Sequence, residues 1–400
     1  MTHAPVAAVV IAASCLFAGC TSSLFSKSDD MIVAATDKNA PSATQNPRKL
    51  EIESAKQNIM SAEVSGPVAL LPGLMYGFEP YYNPDLARLR KEYKLDEVIR
   101  GEKDDFMRVL KLRHWVHNFI PVDNNSPLSY YSAFDILTAV KAGARGNCAH
   151  YQVVLNAVLS AYGIPTRMIY LDVDYTKNPK DRHHAVNEVW VNSLFKWVVL
   201  DAKYDIHFER NGAPLSAMDI HEAARTGKTE GIVHAMGLER KKPAGDSGWH
   251  SSIDSYYWVG YVMRSNFFTQ PHWYMQNDCS TRLMVLDTPA VRASEWPRYA
   301  RDGNLVYERD PAQINWTPNT LKVFSVAQTS DDTLSLRVLS ATPNFKEYRI
   351  RRDGGKWASM PDKNGSYEWR LYPGKNTLDL RARNHWNSDG PIVTLTVEVK

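Results

Sequence analysis

A glycine-containing turn followed by an apolar helix lies near the middle of the chain. This feature restricts the possible folds of the chain more than any other feature of the sequence. Residues 143–147 supply the turn, Cys148 begins the helix, and Gly163 with Pro165 ends it. The predicted buried stripe consists of Ala149, Val153, Ala157, Val158 and Ala161. A Cys at a helix N-terminus lies at the positive end of the macrodipole, which favours the thiolate. The alternative is a small buried hydrophobe, since free Cys is among the most buried residue types.

Two strands joined by a short connection follow this helix. Residues 184–191 and 195–201 have strand character, and the connection around Asn192 and Ser193 predicts a tight hairpin. A two-residue turn would place His184 directly opposite Asp201, with Cβ atoms roughly 4.5–5.5 Å apart, whereas a longer turn would shift the register. An imidazole that is held by a carboxylate and reaches a thiolate is the general arrangement of a cysteine nucleophile.

The spacing of these motifs resembles the core of the transglutaminase-like superfamily over residues 126–205. The matching motifs are Gly146-x-Cys148, Tyr162-Gly163-Ile164-Pro165-Thr166-Arg167, His184-Ala185-x-x-Glu188 and Trp197-x-x-Leu200-Asp201. The resemblance implies an α+β, papain-like fold in which a Cys-bearing helix packs on an antiparallel sheet. It also implies that Cys148 is the nucleophile, His184 the base and Asp201 the orienting carboxylate, with no metal or cofactor. Ala202-Lys203 follows Asp201 where the family commonly has Pro-Thr.

A further candidate lies upstream of the helix. Residues 127–137 resemble the segment in which animal transglutaminases place a Trp that stabilises the transition state, and Tyr130 takes that position here. A Tyr hydroxyl could donate to an oxyanion, but packing in the core is the alternative role.

The N-terminal residues predict export. Residues 4–19 are apolar or small, and about 16 residues are too few for a comfortable membrane span, so they are typical of a signal peptide. Leu16-Phe17-Ala18-Gly19-Cys20 resembles a bacterial lipobox, which implies that Cys20 is lipidated; a plain secretory signal is the alternative. Thr21 after the lipidated Cys implies the outer membrane in a Gram-negative cell. Residues 20–65 are polar and predict a flexible tether.

Removal of the signal peptide and lipidation leave two cysteines for the folded part of the chain. Cys148 and Cys279 could form one disulfide in an oxidising compartment, or they could be a working thiol and an unrelated buried one. Nothing around Cys279 has a recognisable partner spacing.

The sequence predicts two folded domains. Residues 66–316 form the candidate catalytic domain, whose aromatic-rich residues 256–274 could line a groove or pack over its core. Residues 320–400 predict an immunoglobulin-like β-sandwich, because six short strands alternate with turn clusters. The predicted strands are 321–327, 333–340, 347–352, 367–372, 377–383 and 392–399.

Charge and motifs together define the predicted function. A net charge of +3 without a dense basic cluster argues against nucleic acid as a partner. We expect thiol-dependent acyl transfer or hydrolysis of an amide on an extracytoplasmic peptide, protein or cell-envelope polymer, through a thioester. By analogy with bacterial members of the family, hydrolysis is favoured over crosslinking. The alternatives are a non-catalytic binding or assembly lipoprotein and a glycan-handling protein.

Overall fold

The computed structural model describes residues 47–72, 76–128, 132–174, 183–242, 252–262, 264–266, 268, 283–286 and 305–400. Within these ranges the helices are α1 (Pro84–Glu92), α2 (Leu95–Val98), α3 (Asp105–Phe119), α4 (Ala133–Lys141), α5 (Cys148–Ser160), α6 (Ala217–Thr226) and α7 (Pro311–Ile314). The strands are β1 (Arg48–Lys49), β2 (Ile59–Ser65), β3 (Thr166–Asp172), β4 (His184–Val191), β5 (Lys196–Leu200), β6 (Ile206–Arg210), β7 (Ala213–Pro214), β8 (Ile232–Met236), β9 (Trp258–Val262), β10 (Leu283–Leu286), β11 (Leu305–Glu308), β12 (Leu321–Ser330), β13 (Thr333–Ser340), β14 (Phe345–Arg352), β15 (Ala358–Ser359), β16 (Ser366–Arg370), β17 (Gly374–Asn384) and β18 (Val393–Val399).

A six-stranded sheet carries the first domain, in the order β11-β10-β9-β3-β4-β5. Its neighbouring strands are antiparallel except β10 and β11. Helix α5 packs on one face, where Val158 shares a core with Val189. On the other face, Val186 shares a second core with Ile220 of α6 and Phe208 of β6. Because both faces are covered, every residue of β4 is buried. The predicted α+β core, a Cys-bearing helix on an antiparallel sheet, is confirmed.

Local capping explains where the main helices begin. Asp104 caps α3 by accepting a hydrogen bond from the Met107 N–H, as Asp and Ser residues commonly do at this position. The same helix ends just before Pro121, which agrees with the pattern in the sequence. Helix α6 starts with a reciprocal capping box between Ser216 and Asp219.

The second domain is a β-sandwich with a common apolar core. One sheet has the order β1-β2-β18-β17-β14-β15 and the other β12-β13-β16. Leu336 from the smaller sheet and Leu380 and Leu395 from the larger one belong to the same core. All six predicted strands are present, and the predicted immunoglobulin-like sandwich is confirmed.

The prediction of a flexible tether over residues 20–65 is wrong for its described part. β1 and β2 join the larger sheet of the sandwich, where β2 pairs with β18, for example Val64 with Leu395. Little apolar periodicity marks these residues because β2 is only partly buried. The sandwich therefore combines strands that precede the first domain with strands that follow it.

The two domains meet where α5 ends. Gly163 has a φ of +65°, and a Cβ there would lie 2.4 Å from the Trp386 ring of the sandwich. The Trp386 Nε1–H donates to the Ala161 carbonyl at 3.2 Å, and the Asn384 amide donates to the Gly163 carbonyl at 3.3 Å. The sandwich thus supplies donors for carbonyl groups that the end of a helix leaves unpaired.

Within the described ranges, no helix is both long enough and apolar enough to cross a membrane. The predicted signal peptide and Cys20 lie outside the described residues, as do Tyr130 and Cys279.

Candidate functional site

Helix α5 begins at Cys148, as the sequence predicts, and a capping box defines this start. The Asn147 side chain accepts a hydrogen bond from the Ala149 N–H at 3.1 Å, while His150 Nδ1 accepts one from the Asn147 N–H at 2.9 Å. Cys148 is a half-buried free thiol at the first position of the helix. The positive end of the helix dipole therefore acts on its sulfur.

The turn before the thiol is held by a neighbouring segment. The Gly146 N–H donates to the Pro121 carbonyl, and the Asp123 N–H donates to the Gly146 carbonyl, both at 2.8 Å. A Cβ on residue 146 would lie 2.7 Å from Ile120, so only glycine fits without a shift. Segment 120–124 and the turn therefore form one fixed wall beside Cys148.

His150 has a structural role. Because its Nδ1 accepts from Asn147, the proton lies on Nε2, which faces the Leu128 carbonyl at 3.4 Å. Burial lowers the pKa of His150 to about 4. The ring is therefore neutral at pH 7 and shapes the turn.

His184 and Asp201 form a buried pair. His184 Nε2 lies 2.6 Å from Asp201 Oδ2, and both side chains are at most 3% exposed. The other carboxylate oxygen, Oδ1, accepts the backbone N–H groups of Lys203 at 3.0 Å and Tyr204 at 3.3 Å. With its second oxygen held in this way, Asp201 presents Oδ2 to the imidazole in a fixed orientation.

The register that the sequence suggested for this hairpin is wrong. The turn has four residues, Asn192 to Phe195, and pairs Val191 with Lys196 and Asn187 with Leu200. Asp201 therefore lies beyond the ladder of β5 and not directly opposite His184. It reaches the ring because residues 201–206 turn back on themselves through two hydrogen bonds between Asp201 and Ile206.

The electrostatics of the site favour an ion pair between thiolate and imidazolium. Burial alone would raise the pKa of the Cys148 thiol, but the His184 side chain, the Lys203 charge and the Ala185 N–H outweigh it, so the pKa lies below its usual value. Burial also disfavours a charged imidazole, yet Asp201 raises the pKa of His184 to about 9. Both charge and hydrogen bonding between the Cys148 and His184 side chains contribute to these two shifts in pKa.

One side of α3 holds the turn that contains Asp201. Arg113, completely buried, donates from Nε to Asp205 Oδ1 at 2.8 Å, and His114 Nδ1 lies 2.6 Å from Asp205 Oδ2. His117 Nδ1 lies 3.2 Å from the Ala202 carbonyl. None of these residues was predicted from the sequence, although an Arg beside the apolar stripe of α3 could have indicated a buried ion pair. They act on the site through the turn and do not touch the thiol.

The remaining predicted features are mainly structural. Glu188 accepts two hydrogen bonds from Arg167 within the core, so it pairs with a cation and does not line the site. Tyr256 and Trp258 are at most 3% exposed, which contradicts a groove wall at these positions and supports packing of the extension over the core. The described part of the chain contains no group of three His, Cys, Asp or Glu that could hold a metal ion.

The structure brings together a Cys at the start of a helix, a His on a strand and an Asp just beyond the end of the next strand. The sequence profile of the transglutaminase-like superfamily matches residues 93–202, so this part of the chain is similar to the core of that superfamily. The match ends one residue after Asp201, so all three residues lie inside it.

Solved structures give only distant likenesses. A candidate cysteine protease from Cytophaga hutchinsonii is 20% identical, with 36% of this chain and 49% of that chain covered, at a TM-score of 0.24. Red sea bream transglutaminase is 14% identical, with 80% and 73% covered, at a TM-score of 0.23. A candidate protease from Parabacteroides distasonis is 11% identical, with 79% and 52% covered, at a TM-score of 0.21. The chain spans about half the length of the first of these structures. No curated protein matches the sequence.

Proposed function

We propose that the chain is a transglutaminase-like cysteine hydrolase or acyltransferase that acts on an amide bond of an extracytoplasmic peptide or protein. Cys148 is the nucleophile, His184 the general acid and base, and Asp201 the residue that orients His184. The observation that carries the proposal is the buried 2.6 Å contact between His184 Nε2 and Asp201 Oδ2 beside a thiol at the start of a helix.

The first half-reaction forms a thioester. The Cys148 thiolate attacks the carbonyl carbon of the amide, and the positive end of α5 favours the negative charge that develops on the carbonyl oxygen. The His184 imidazolium then gives its proton to the leaving nitrogen, and the C–N bond breaks. Ammonia or an amine leaves, and the acyl group remains on the sulfur.

The second half-reaction decides between hydrolysis and crosslinking. Water, deprotonated by His184, attacks the thioester, the C–S bond breaks, and an acid is released with the thiolate restored. An amine in place of water would give a new amide by the same steps. The three residues serve both outcomes equally, and hydrolysis is the proposed one by analogy with bacterial members of the superfamily.

Lipid anchoring at Cys20 is part of the proposal and rests on the sequence alone. It supplies the extracytoplasmic location and the cell-envelope substrates. Metabolic labelling with radioactive palmitate tests it: the wild type should be labelled and Cys20→Ala should not. Label that persists in Cys20→Ala would contradict the anchor.

The reactivity of Cys148 tests the site directly. We expect iodoacetamide to alkylate Cys148 below the pH range of an ordinary thiol, whose pKa is about 8.5. His184→Ala removes the charge that lowers the pKa of the thiol, so alkylation at pH 6 should slow about tenfold for each unit by which that pKa rises. His385→Ala, in the sandwich, is the matched control and should leave the rate unchanged.

Turnover completes the test. We expect the purified protein to release peptides from fluorescently labelled casein, with dansylcadaverine incorporation as the readout for crosslinking, and we expect Cys148→Ala to abolish both signals. Ordinary alkylation of Cys148 that does not respond to His184→Ala would reject the catalytic site and favour a binding or assembly protein that retains the fold.

A further inference from the structure

Lys203 is a nearly buried cation at the edge of the candidate site; its charge lowers the pKa of Cys148, but its side chain takes no part in the bond-forming and proton-transfer steps proposed above. The residue is 5% exposed, and its Nζ donates one hydrogen bond, to Asn124 Oδ1 at 2.7 Å. Among the described residues no carboxylate forms an ion pair with this ammonium group. Burying a charge without an opposite one is costly, so such a cation calls for a ligand or a functional reason.

The position of Lys203 ties it to the thiol and the imidazole. Its backbone N–H donates to Asp201 Oδ1, and its Nζ lies 4.9 Å from the centre of the Tyr204 ring, which in turn is 5.8 Å from the ring of His184. Asn124 belongs to the segment that holds the turn before Cys148. The hydrogen bond between Lys203 and Asn124 therefore connects the turn after Asp201 with segment 120–124, which holds the turn before Cys148.

The ammonium group is hydrogen-bonded to a residue that faces solvent. Asn124 is exposed, so the hydrogen bond places Nζ at the boundary between the core and solvent. An ammonium has three donors, and one hydrogen bond to a neutral amide leaves two for another acceptor. A carboxylate suits this position best, because hydrogen bonds between charged groups are about twice as strong as neutral ones.

We propose that Lys203 recognises a carboxylate on the substrate, close to the carbonyl that Cys148 attacks. This inference rests on the proposed function and narrows its substrate class to amides with an acidic group near the scissile bond. A free peptide C-terminus and an acidic side chain both supply this chemistry. The charge of Lys203 also helps to lower the pKa of Cys148, so the experiment must separate recognition from activation of the thiol.

Two alkylating reagents make this separation. Iodoacetate and iodoacetamide react with the same thiolate, but only iodoacetate carries a carboxylate. The ratio of their rates therefore cancels any change in the pKa of Cys148. We expect Lys203→Met to lower the iodoacetate-to-iodoacetamide ratio about tenfold or more relative to the wild type. Lys203→Arg should retain most of the ratio, because the cation remains.

Lys141→Met is the matched control, since it removes an exposed lysine that also lies over a tyrosine ring but pairs with Glu92 and belongs to helix α4. It should leave the ratio at the wild-type value. If Lys203→Met slows both reagents by the same factor, the residue only tunes the thiol and carboxylate recognition is overturned.

Protection of Cys148 from iodoacetamide distinguishes the two sources of the carboxylate. Acetyl-trialanine with a free C-terminus is compared with its amide, and acetyl-Ala-Glu-Ala-amide with its Gln counterpart. The proposal is supported if either acidic peptide protects Cys148 more strongly than its neutral counterpart and this difference disappears in Lys203→Met. The pair that shows the difference then identifies the source of the carboxylate. Equal protection within both pairs overturns it. If the ratio depends on Lys203 while no amide is turned over, the proposed function fails and the carboxylate site stands.

Discussion

The two domains differ most in what they bury. In the transglutaminase-like domain the buried residues include Arg113, Arg167, Glu188, His184 and Asp201, each paired with an opposite charge or a hydrogen-bonding group. In the sandwich the core is apolar, and Asp379 is the only buried Asp, Glu, Lys, Arg or His among the described residues.

This difference shows which interactions hold each domain and how each should fail. The sandwich depends on non-directional burial of apolar surface, which tolerates loss in proportion to the volume removed. The transglutaminase-like domain depends on pairs in which the loss of one partner leaves a buried charge without compensation. Four changes test this contrast.

The largest effect is expected at the pair between Arg167 and Glu188. Arg167→Met removes two donors to Glu188, whose other oxygen is held by the Ala217 N–H, and it also removes a guanidinium stacked on Trp197. We expect a loss of about 3–5 kcal/mol in the free energy of unfolding, because a buried carboxylate remains unpaired. Urea unfolding followed by circular dichroism measures it.

The double variant Arg167→Met with Glu188→Gln provides the control and should recover part of the loss. If Arg167→Met alone lowers the free energy of unfolding by less than about 1 kcal/mol, the proposed contrast between the domains is contradicted.

In the sandwich, Leu395→Ala should cost about 3 kcal/mol through the cavity it leaves in a fully buried position. Below the unfolding temperature, the rate at which iodoacetamide modifies Cys148 should stay at the wild-type value. A slower rate in the folded variant would mean that the core of the sandwich controls the site.

The junction between the domains should give an intermediate effect. Gly163→Ala forces a side chain into a left-handed conformation and against the Trp386 ring, at an expected cost of about 2 kcal/mol. In a Trp386→Ala background the same change should cost only about 1 kcal/mol, since the backbone strain remains and the clash is gone. Equal costs in both backgrounds, measured by thermal unfolding, would exclude contact with Trp386 as the cause.

The smallest effect is the pH dependence of turnover. In the proposed mechanism the leaving group takes its proton from the imidazolium. Because the pKa of His184 is raised to about 9, turnover should decline above about pH 9, roughly tenfold for each pH unit. Asp201→Asn removes the charge that raises this pKa, so the decline should begin at lower pH. Leu395→Ala should have the wild-type profile, and a shifted profile there would break the separation between the domains.

The sequence predicts the parts of the fold that local chemistry determines. The start of the helix at Cys148 and its stop at Gly163 are local signals, and α5 lies between these limits. Cys148, His184 and Asp201 also meet as expected, since motif order and spacing carry the fold of the superfamily.

What could not be predicted depends on contacts between distant residues. The register of the hairpin depends on a four-residue turn that includes Phe195 at positive φ, for which the sequence has no strong signal. The burial of Arg113 and Lys203 depends on the turn after Asp201 and on α3, about 90 residues earlier. Similarly, β2 has too little apolar periodicity to identify its partner strand.

The position of β18 between β2 and β17 has a consequence for the order of folding. β2 is synthesised before the transglutaminase-like domain, but its partner is synthesised long after it. The entropic cost of closing a loop grows only slowly with its length, by about 0.6 kcal/mol for each doubling. Pairing of β2 with β18 therefore tolerates a folded domain between them. β2 must therefore remain unpaired on its β18 side until β18 has emerged from the ribosome. The final strand closes the larger sheet, and a chain interrupted before Val393 would leave two strand edges open to aggregation.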